Sequence, residues 1–322
     1  MAAAAVQKAP AGKKKKKGGG KASAFFRYLW KHKYMYLMLL PAILFYAVFC
    51  YAPMYGATMA FKDFNPMQGI LGSPWVGFEH FETLFGMEKF YSVVWNTIYI
   101  SVIRLIFGFP FPIIIALMLN EVRSSKLRKG IQTAVYIPNF ISWVVMGGIL
   151  TNMLSADTGI VNGFIKMLGF QPIGFLTDER YFIGTMVVSM IWKTFGYNTI
   201  IYLAALTAVD PQLYEAATVD GAGRWKQLFH ITLPCIMSTI VVMLIMRIGN
   251  LMQAGFEQIF VLYHPGVYGT ADIIDTYVYR AGLQDGKFEL AAAVGLFKSI
   301  INFVLLVLAN RLARAAGEEG VY

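Results

Sequence analysis

Six apolar stretches, at about residues 35–60, 92–119, 131–154, 182–208, 235–256 and 289–310, constrain this chain more than any other feature. Each is long enough for a helix to cross a bilayer core, which takes about 20 residues. Only helices and closed barrels satisfy every backbone polar group in lipid. Barrel strands would be short and alternating, whereas these runs are long and uniformly apolar. The predicted class is an all-α membrane protein with six transmembrane helices. Composition agrees, since 57% of the residues are hydrophobic and 14% charged, against about 25% charged in a soluble domain.

The net charge of +10 raises the question of a nucleic-acid partner, and the placement of the charges answers it. Eighteen of the 28 Lys and Arg lie in segments 1–33, 121–130, 210–233 and 311–322, and six lie in the alternate connections 61–91, 155–181 and 256–288. This asymmetry is the signature of membrane topology, and it predicts that both termini face the cytoplasm. The layout is then a basic, largely disordered tail over 1–33, a first span with an external loop over 34–90, a transmembrane core over 91–313 and a short tail over 314–322. The lysine-rich start lacks the apolar core of a signal peptide. Cys50 and Cys235 are predicted near opposite faces, and their number and spacing suit neither a disulfide nor a metal.

Several function classes are excluded at this level. The external connections are too short to form a solute-capturing domain. The nearest approach to a phosphate-binding loop, GLQDGKF at 282–288, fails on glycine spacing and on its last residue. His32, His80, His230 and His264 all fall outside the spans, and no HExxH helix exists. No catalytic or metal site is expected, and any ATP chemistry must come from another chain. The six spans contain no carboxylate of the kind that ion-coupled transporters place at the bilayer midplane.

One polar insert, YEAATVDGAGRWKQLFHITLP at 214–234, stands between the fourth and fifth spans on the predicted cytoplasmic side. Asp210 followed by Pro211 is a helix-start signal, an N-cap before a proline at the first helical position. About ten residues of good helix formers follow, until Gly221 supplies a left-handed stop. After Gly223 a second helical stretch places Trp225, Leu228, Phe229 and Thr232 on one face, and Pro234 turns it into the fifth span. The small Ala216 and Ala217 let a partner surface approach the first helix closely, with Glu215 and Asp220 left to meet its polar groups.

The run of Glu215, Ala216 and Ala217, then Asp220, Gly221 and Ala222, then Leu233 and Pro234, resembles the signature loop of permease subunits of binding-protein-dependent ABC importers, in their sugar-type branch. The chain departs from that pattern at Leu228 and Ser238. IWKTFGYNTIIYLAAL at 191–206 and DTGIVN at 157–162 read like family counterparts, and the front segments resemble the lipo-oligosaccharide or polysaccharide group. The resemblance implies a type I importer permease fold whose cytoplasmic coupling helix docks on an ATPase. It also implies a second, homologous permease, two ATPase subunits holding ATP and Mg, an extracytoplasmic binding protein, and an oligosaccharide delivered across the bacterial cytoplasmic membrane. An ABC permease for another small solute is the nearest alternative, and an ion-coupled secondary transporter a more distant one.

Polar side chains inside spans are costly and often line solute paths. The candidates are Asn152, Lys193, Tyr197, Asn198, Arg247, Asn250 and Gln253, with Lys193 and Tyr197 one helical turn apart and Asn250 and Gln253 likewise. Interhelical hydrogen bonding is the competing use of each. Arg104, Lys193, Arg247 and Lys298 have no acid within their own predicted spans apart from Glu289 at the rim of the last, which suits an acidic solute such as a uronate oligomer of the alginate kind; snorkelling to an interface or pairing with backbone carbonyls is the competing use.

Overall fold

The structure is a computed structural model and describes residues 28–317. The predicted disorder of the basic tail falls largely on residues 1–27, outside the described range, as do residues 318–322. Among the described residues the secondary structure is helical, with one isolated bridge between Lys62 and Trp75. The chain divides into two compact units, Met1–Gly56 and Ala57–Tyr322. In the first unit the helix Lys33–Phe45 carries Pro41 internally and passes into a π-helical turn, Tyr46–Tyr51. Its apolar residues point all round and none is buried, the pattern of a helix that faces hydrocarbon.

The second unit is organised around the 29-residue helix Glu179–Thr207, started by Asp178, whose carboxylate accepts from the Arg180 amide at 2.9 Å. Phe182, Met186, Met190, Lys193, Gly196, Thr199, Tyr202 and Leu206 are buried along it at three- and four-residue spacing, which is one continuous helix face. That face packs on Glu88–Gly108, Pro110–Asn120 and Ser125–Phe140. At Gly196 an added Cβ would overlap the backbone carbonyl of Val135, so glycine is what brings the two helices together. Small residues serve this purpose throughout membrane bundles.

All six predicted spans coincide with helix, but they are built differently from one another. Lys33–Phe61, Glu88–Asn120 and Phe288–Ala315 are continuous helices long and apolar enough to cross a membrane. Pro110 and Pro112 lie in the second span, whose helix is interrupted only at Phe109. The fourth predicted span is helical over Glu179–Thr207, about 43 Å at 1.5 Å per residue. It carries Lys193, Thr194 and Asn198 near its middle, which makes it less apolar than those three. The third and fifth are bent pairs. Ser125–Phe140 meets Trp143–Leu154 at 99°, and Arg224–Cys235 meets Met237–Gly249 at 59°.

The 99° break has an identifiable closure. Pro138 sits in the last turn of the first half, and Ser142 caps the second half by accepting from the Val145 amide. The Lys193 ammonium reaches across from the central helix and donates to the carbonyls of Asn139 at 2.8 Å and Ile141 at 2.7 Å, beside the Trp143 ring. A cation at a helix C-terminus satisfies orphan carbonyls and the helix dipole together.

The connection over 256–288 is not the open surface loop that its polar residues suggest. Gln258, Ile259, Val267, Ala271, Asp272, Ile273, Ile274 and Thr276 are all fully buried. Its polar groups are satisfied by distant residues: Gln258 donates to the Met186 carbonyl at 2.7 Å, and Asn96 donates to the carbonyls of Gly269 and Asp272. The buried Asp272 carboxylate accepts from Thr276 and pairs with Arg280 at 2.6 Å and Lys89 at 3.2 Å. Burial works against the Arg280 charge, but the Asp272 carboxylate outweighs it and holds the guanidinium above its ordinary pKa.

The 155–181 connection contains a short helix, Ile160–Met167. The structure also explains its DTGIVN motif. Asn162 is fully buried, and its amide donates to the carbonyls of Leu154, Ser155 and Ile173 while accepting from the Ile173 amide. At Gly159 a Cβ would lie 2.5 Å from the carbonyl oxygens of Met153 and Ser155.

Candidate functional site

The 210–234 loop folds from its caps inward. Asp210 accepts from the Gln212 amide at 2.9 Å, Pro211 takes the first helical position, and the helix runs over Pro211–Val219. Gly221 adopts φ +73° and closes the helix: the Ala222 amide donates to the Ala217 carbonyl at 2.8 Å and the Gly221 amide to the Thr218 carbonyl at 3.1 Å. This pair of bonds is the Schellman arrangement that a left-handed residue permits. The second stretch, Arg224–Gln227, continues as a π turn over Leu228–Thr232. The wider turn separates the four residues expected to share a face. Trp225 and Phe229 stack on each other and are exposed, whereas Thr232 is buried and bonds the Tyr214 hydroxyl at 3.0 Å.

Tyr214 and Gln227 thus pin the short helix to the stretch behind it, Gln227 donating to Thr218 and to the Ala222 carbonyl. The opposite face is left open. Glu215, Ala216, Asp220, Gly221 and Pro234 are exposed, and Ala217, Ala222 and Leu233 are half-buried. Val219 beside them is 88% exposed, an apolar residue that nothing among the described residues covers.

The second feature is a cavity of about 940 Å³ within the unit Ala57–Tyr322. Its wall includes the place where the fifth span stops being helical. Met237–Gly249 gives way to Leu251–Gln253, then to Ala254 at φ +35° and Gly255 at φ +86°, before helix resumes at Phe256. Irregular backbone at membrane depth is tolerated where it lines a cavity or is buried in protein. Here the Met252 amide finds the Asn302 side chain at 3.1 Å, and Asn250 accepts from Gln253 at 3.2 Å. Gly255 has a second reason to be glycine, because a Cβ there would collide with the Arg104 guanidinium. Arg104 passes over it to donate to the Gln258 side chain at 2.6 Å.

The predicted path residues separate accordingly. Asn198, Arg247, Asn250 and Gln253 line this cavity. Lys193 is spent on the Asn139 and Ile141 carbonyls, Tyr197 is 51% exposed away from the cavity, and Asn152 is exposed on the Trp143–Leu154 helix. The cations divide too. Lys298 pairs with Asp275, Arg104 is held by Gln258, and Arg247 makes no hydrogen bond or ion pair among the described residues. Arg247 and Arg104 line the same cavity. Two carboxylates, Asp275 and Glu257, reach the cavity wall from the segment read as external. Windowed hydropathy missed them, and the one local signal was the Ala254-Gly255 pair ending an apolar run.

A bent, multi-pass helical bundle with a polar central cavity and an unpartnered surface loop is built as a membrane transport subunit. The family comparison makes this specific. Residues 108–317 match the model of the binding-protein-dependent transport system inner membrane component, and the chain belongs to that family. It is 47% identical over 292 residues to the polygalacturonan/rhamnogalacturonan transport system permease protein YteP of Bacillus subtilis (strain 168), covering 91% of each chain. A chain in the crystal structure of a bacterial ABC transporter involved in the import of the acidic polysaccharide alginate superposes with a TM-score of 0.85 at 43% identity, covering 91% of this chain and 99% of that one. The bacterial alginate ABC transporter in complex with alginate pentasaccharide-bound periplasmic protein gives the same TM-score at 42% identity, covering 92% and 99%. The fold is that of a type I ABC importer permease.

Proposed function

We propose that this chain is the membrane-spanning permease subunit of an ATP-driven importer of acidic oligosaccharides. The observation that carries the acidic solute is the cavity wall, which Arg104 and Arg247 both line and where no acid bonds either one. Two like charges in a low-dielectric wall repel, and a shared carboxylate offsets that repulsion. Guanidinium groups suit the task because their fork matches a carboxylate. The volume falls within the 300–1,000 Å³ typical of ligand cavities. Amides from Asn198, Asn250 and Gln253 supply partners for sugar hydroxyls, and the relatives named for polygalacturonan and for alginate move polyuronates.

On this reading the chain pairs with a homologous permease and two ATPase subunits, which hold the ATP and Mg, and receives solute from an extracytoplasmic binding protein. The basic connections and both termini face the cytoplasm. Closure of the ATPases moves the Pro211–Val219 helix and rocks the spans between inward- and outward-facing states. The chain itself performs no hydrolysis.

The test is uptake by Arg247→Gln transporters in proteoliposomes. Hydrogen bonds to charged groups contribute about 1.5–3 kcal/mol, so uptake of a uronate oligomer should fall about tenfold to a hundredfold. Uptake of any neutral oligosaccharide the wild type accepts should hold. Unchanged uronate uptake would remove the acidic-solute reading.

A further inference from the structure

A second cavity, of about 310 Å³, lies between the connection that follows Asn120 and the 210–234 loop. Three guanidinium groups line it, those of Arg123, Arg128 and Arg224, against one carboxylate, Glu121. Glu121 reaches Arg224 only at 3.8 Å, with the two side chains 62% and 69% exposed, and a pair so exposed contributes little. Arg128 donates through Nε and Nη2 to the Val122 carbonyl, at 3.3 and 2.7 Å, which fixes its plane and leaves Nη1 without a partner. Arg123 has no partner among the described residues. Three cations gathered around a small space with one loosely held acid form a site short of negative charge.

We propose that this cavity binds a phosphate group and thereby ties the 210–234 loop to the end of the Pro110–Asn120 helix. Phosphate is the chemistry that the forked donors of several arginines match best. Tyr214 and Gln227, the residues that pin the short helix in place, also line this cavity. An occupied site would therefore stiffen the base of the element that meets the ATPase. The headgroup of an anionic lipid and free phosphate offer the same group, and basic pockets on the cytoplasmic side of helical bundles receive such headgroups. The inference rests on the cytoplasmic placement of this loop.

The experiment compares wild type with the Arg123→Gln/Arg224→Gln double variant, as full chain and as assembled transporter. One arm counts phosphatidylglycerol retained from mixed phosphatidylglycerol/phosphatidylcholine nanodiscs by native mass spectrometry, and the other follows thermal unfolding against inorganic phosphate. Both arginines are exposed, so the double variant should unfold at the wild-type temperature without ligand. Lipid retention or phosphate affinity should fall about tenfold or more in the variant. A difference in the lipid arm alone identifies a headgroup site, and one in the phosphate arm alone a free-anion site. Equal behaviour of the two proteins in both arms overturns the proposal, as does loss of both signals on assembly, which would mean that a partner's carboxylate fills the cavity. Failure of ATPase chains to assemble would instead strike the coupling reading, and would leave the measurement on the full chain standing.

Discussion

Transporters carrying Gly221→Asp or Glu215→Lys should reach the membrane folded and yet lose binding-protein-stimulated uptake, by about fiftyfold or more if the coupled motion is broken. The reason is that this chain asks little of either position. A Cβ at Gly221 meets nothing within 4 Å, and Glu215 is exposed. Within the chain, the cost of Gly221→Asp is the left-handed backbone at φ +73°, about 1–2 kcal/mol for a residue with a Cβ and less for Asp than for most. The new carboxylate also stands at the helix C-terminus, where a negative charge is unfavourable by about 0.3–1 kcal/mol. Neither term unfolds a bundle of this size. A large functional loss would therefore report on a partner surface, against which the alanine face leaves room for a cleft but none for an added side chain. The check pairs thermal unfolding in detergent with uptake and ATPase assays. Normal uptake in both variants would count heavily against the coupling role.

Gly196→Val should do the reverse and abolish folded protein. The Cβ alone would overlap the Val135 carbonyl, which is backbone and cannot rotate away. The Glu179–Thr207 and Ser125–Phe140 helices would have to separate by more than an ångström. That separation would strip Lys193 from the Asn139 and Ile141 carbonyls that close the 99° break. Overpacking costs about 1–3 kcal/mol at sites that can relax, and the lost cap adds about 1–3 kcal/mol for each buried group left unsatisfied. Gly184→Ala is the control on the same helix, because a Cβ there meets nothing within 4 Å and alanine is favoured over glycine in a helix by about 1 kcal/mol. Size-exclusion profiles should show a monodisperse control and little or no monodisperse Gly196→Val. Similar profiles for the two would contradict the close helix contact.

The two variants mark the limit of what is legible in the sequence. The positions of the six helices and the caps of the 210–234 loop depend on neighbours within a turn or two, such as Asp210 with Gln212 or Gly221 with Thr218. Such local patterns are readable. The breaks at Ile141–Ser142 and Asn250–Gly255 were not, because windowed hydropathy averages over them and their orphan groups are satisfied by Lys193 and Asn302, some 50 residues away. The buried 256–288 segment was hidden for the same reason. Asp272 and Gln258 look like loop polarity until their partners on other helices are known. Lys193 shows the consequence for the candidate site. By position it resembled a path residue, and only the geometry of the broken helix beside it gives the side chain another use.

The central claim is that this chain opens and closes under the control of other chains that hydrolyse ATP in response to a loaded binding protein. The most direct measurement is ATPase activity of the transporter co-purified through this chain under mild extraction and reconstituted in lipid. It would be read with the binding protein alone, with binding protein plus uronate oligomers, and with binding protein plus neutral oligomers of equal length. The account predicts that ATPase chains co-purify and that the uronate-loaded binding protein raises hydrolysis several-fold over the other two conditions. Absence of any ATPase chain, or hydrolysis indifferent to the loaded binding protein, would contradict it.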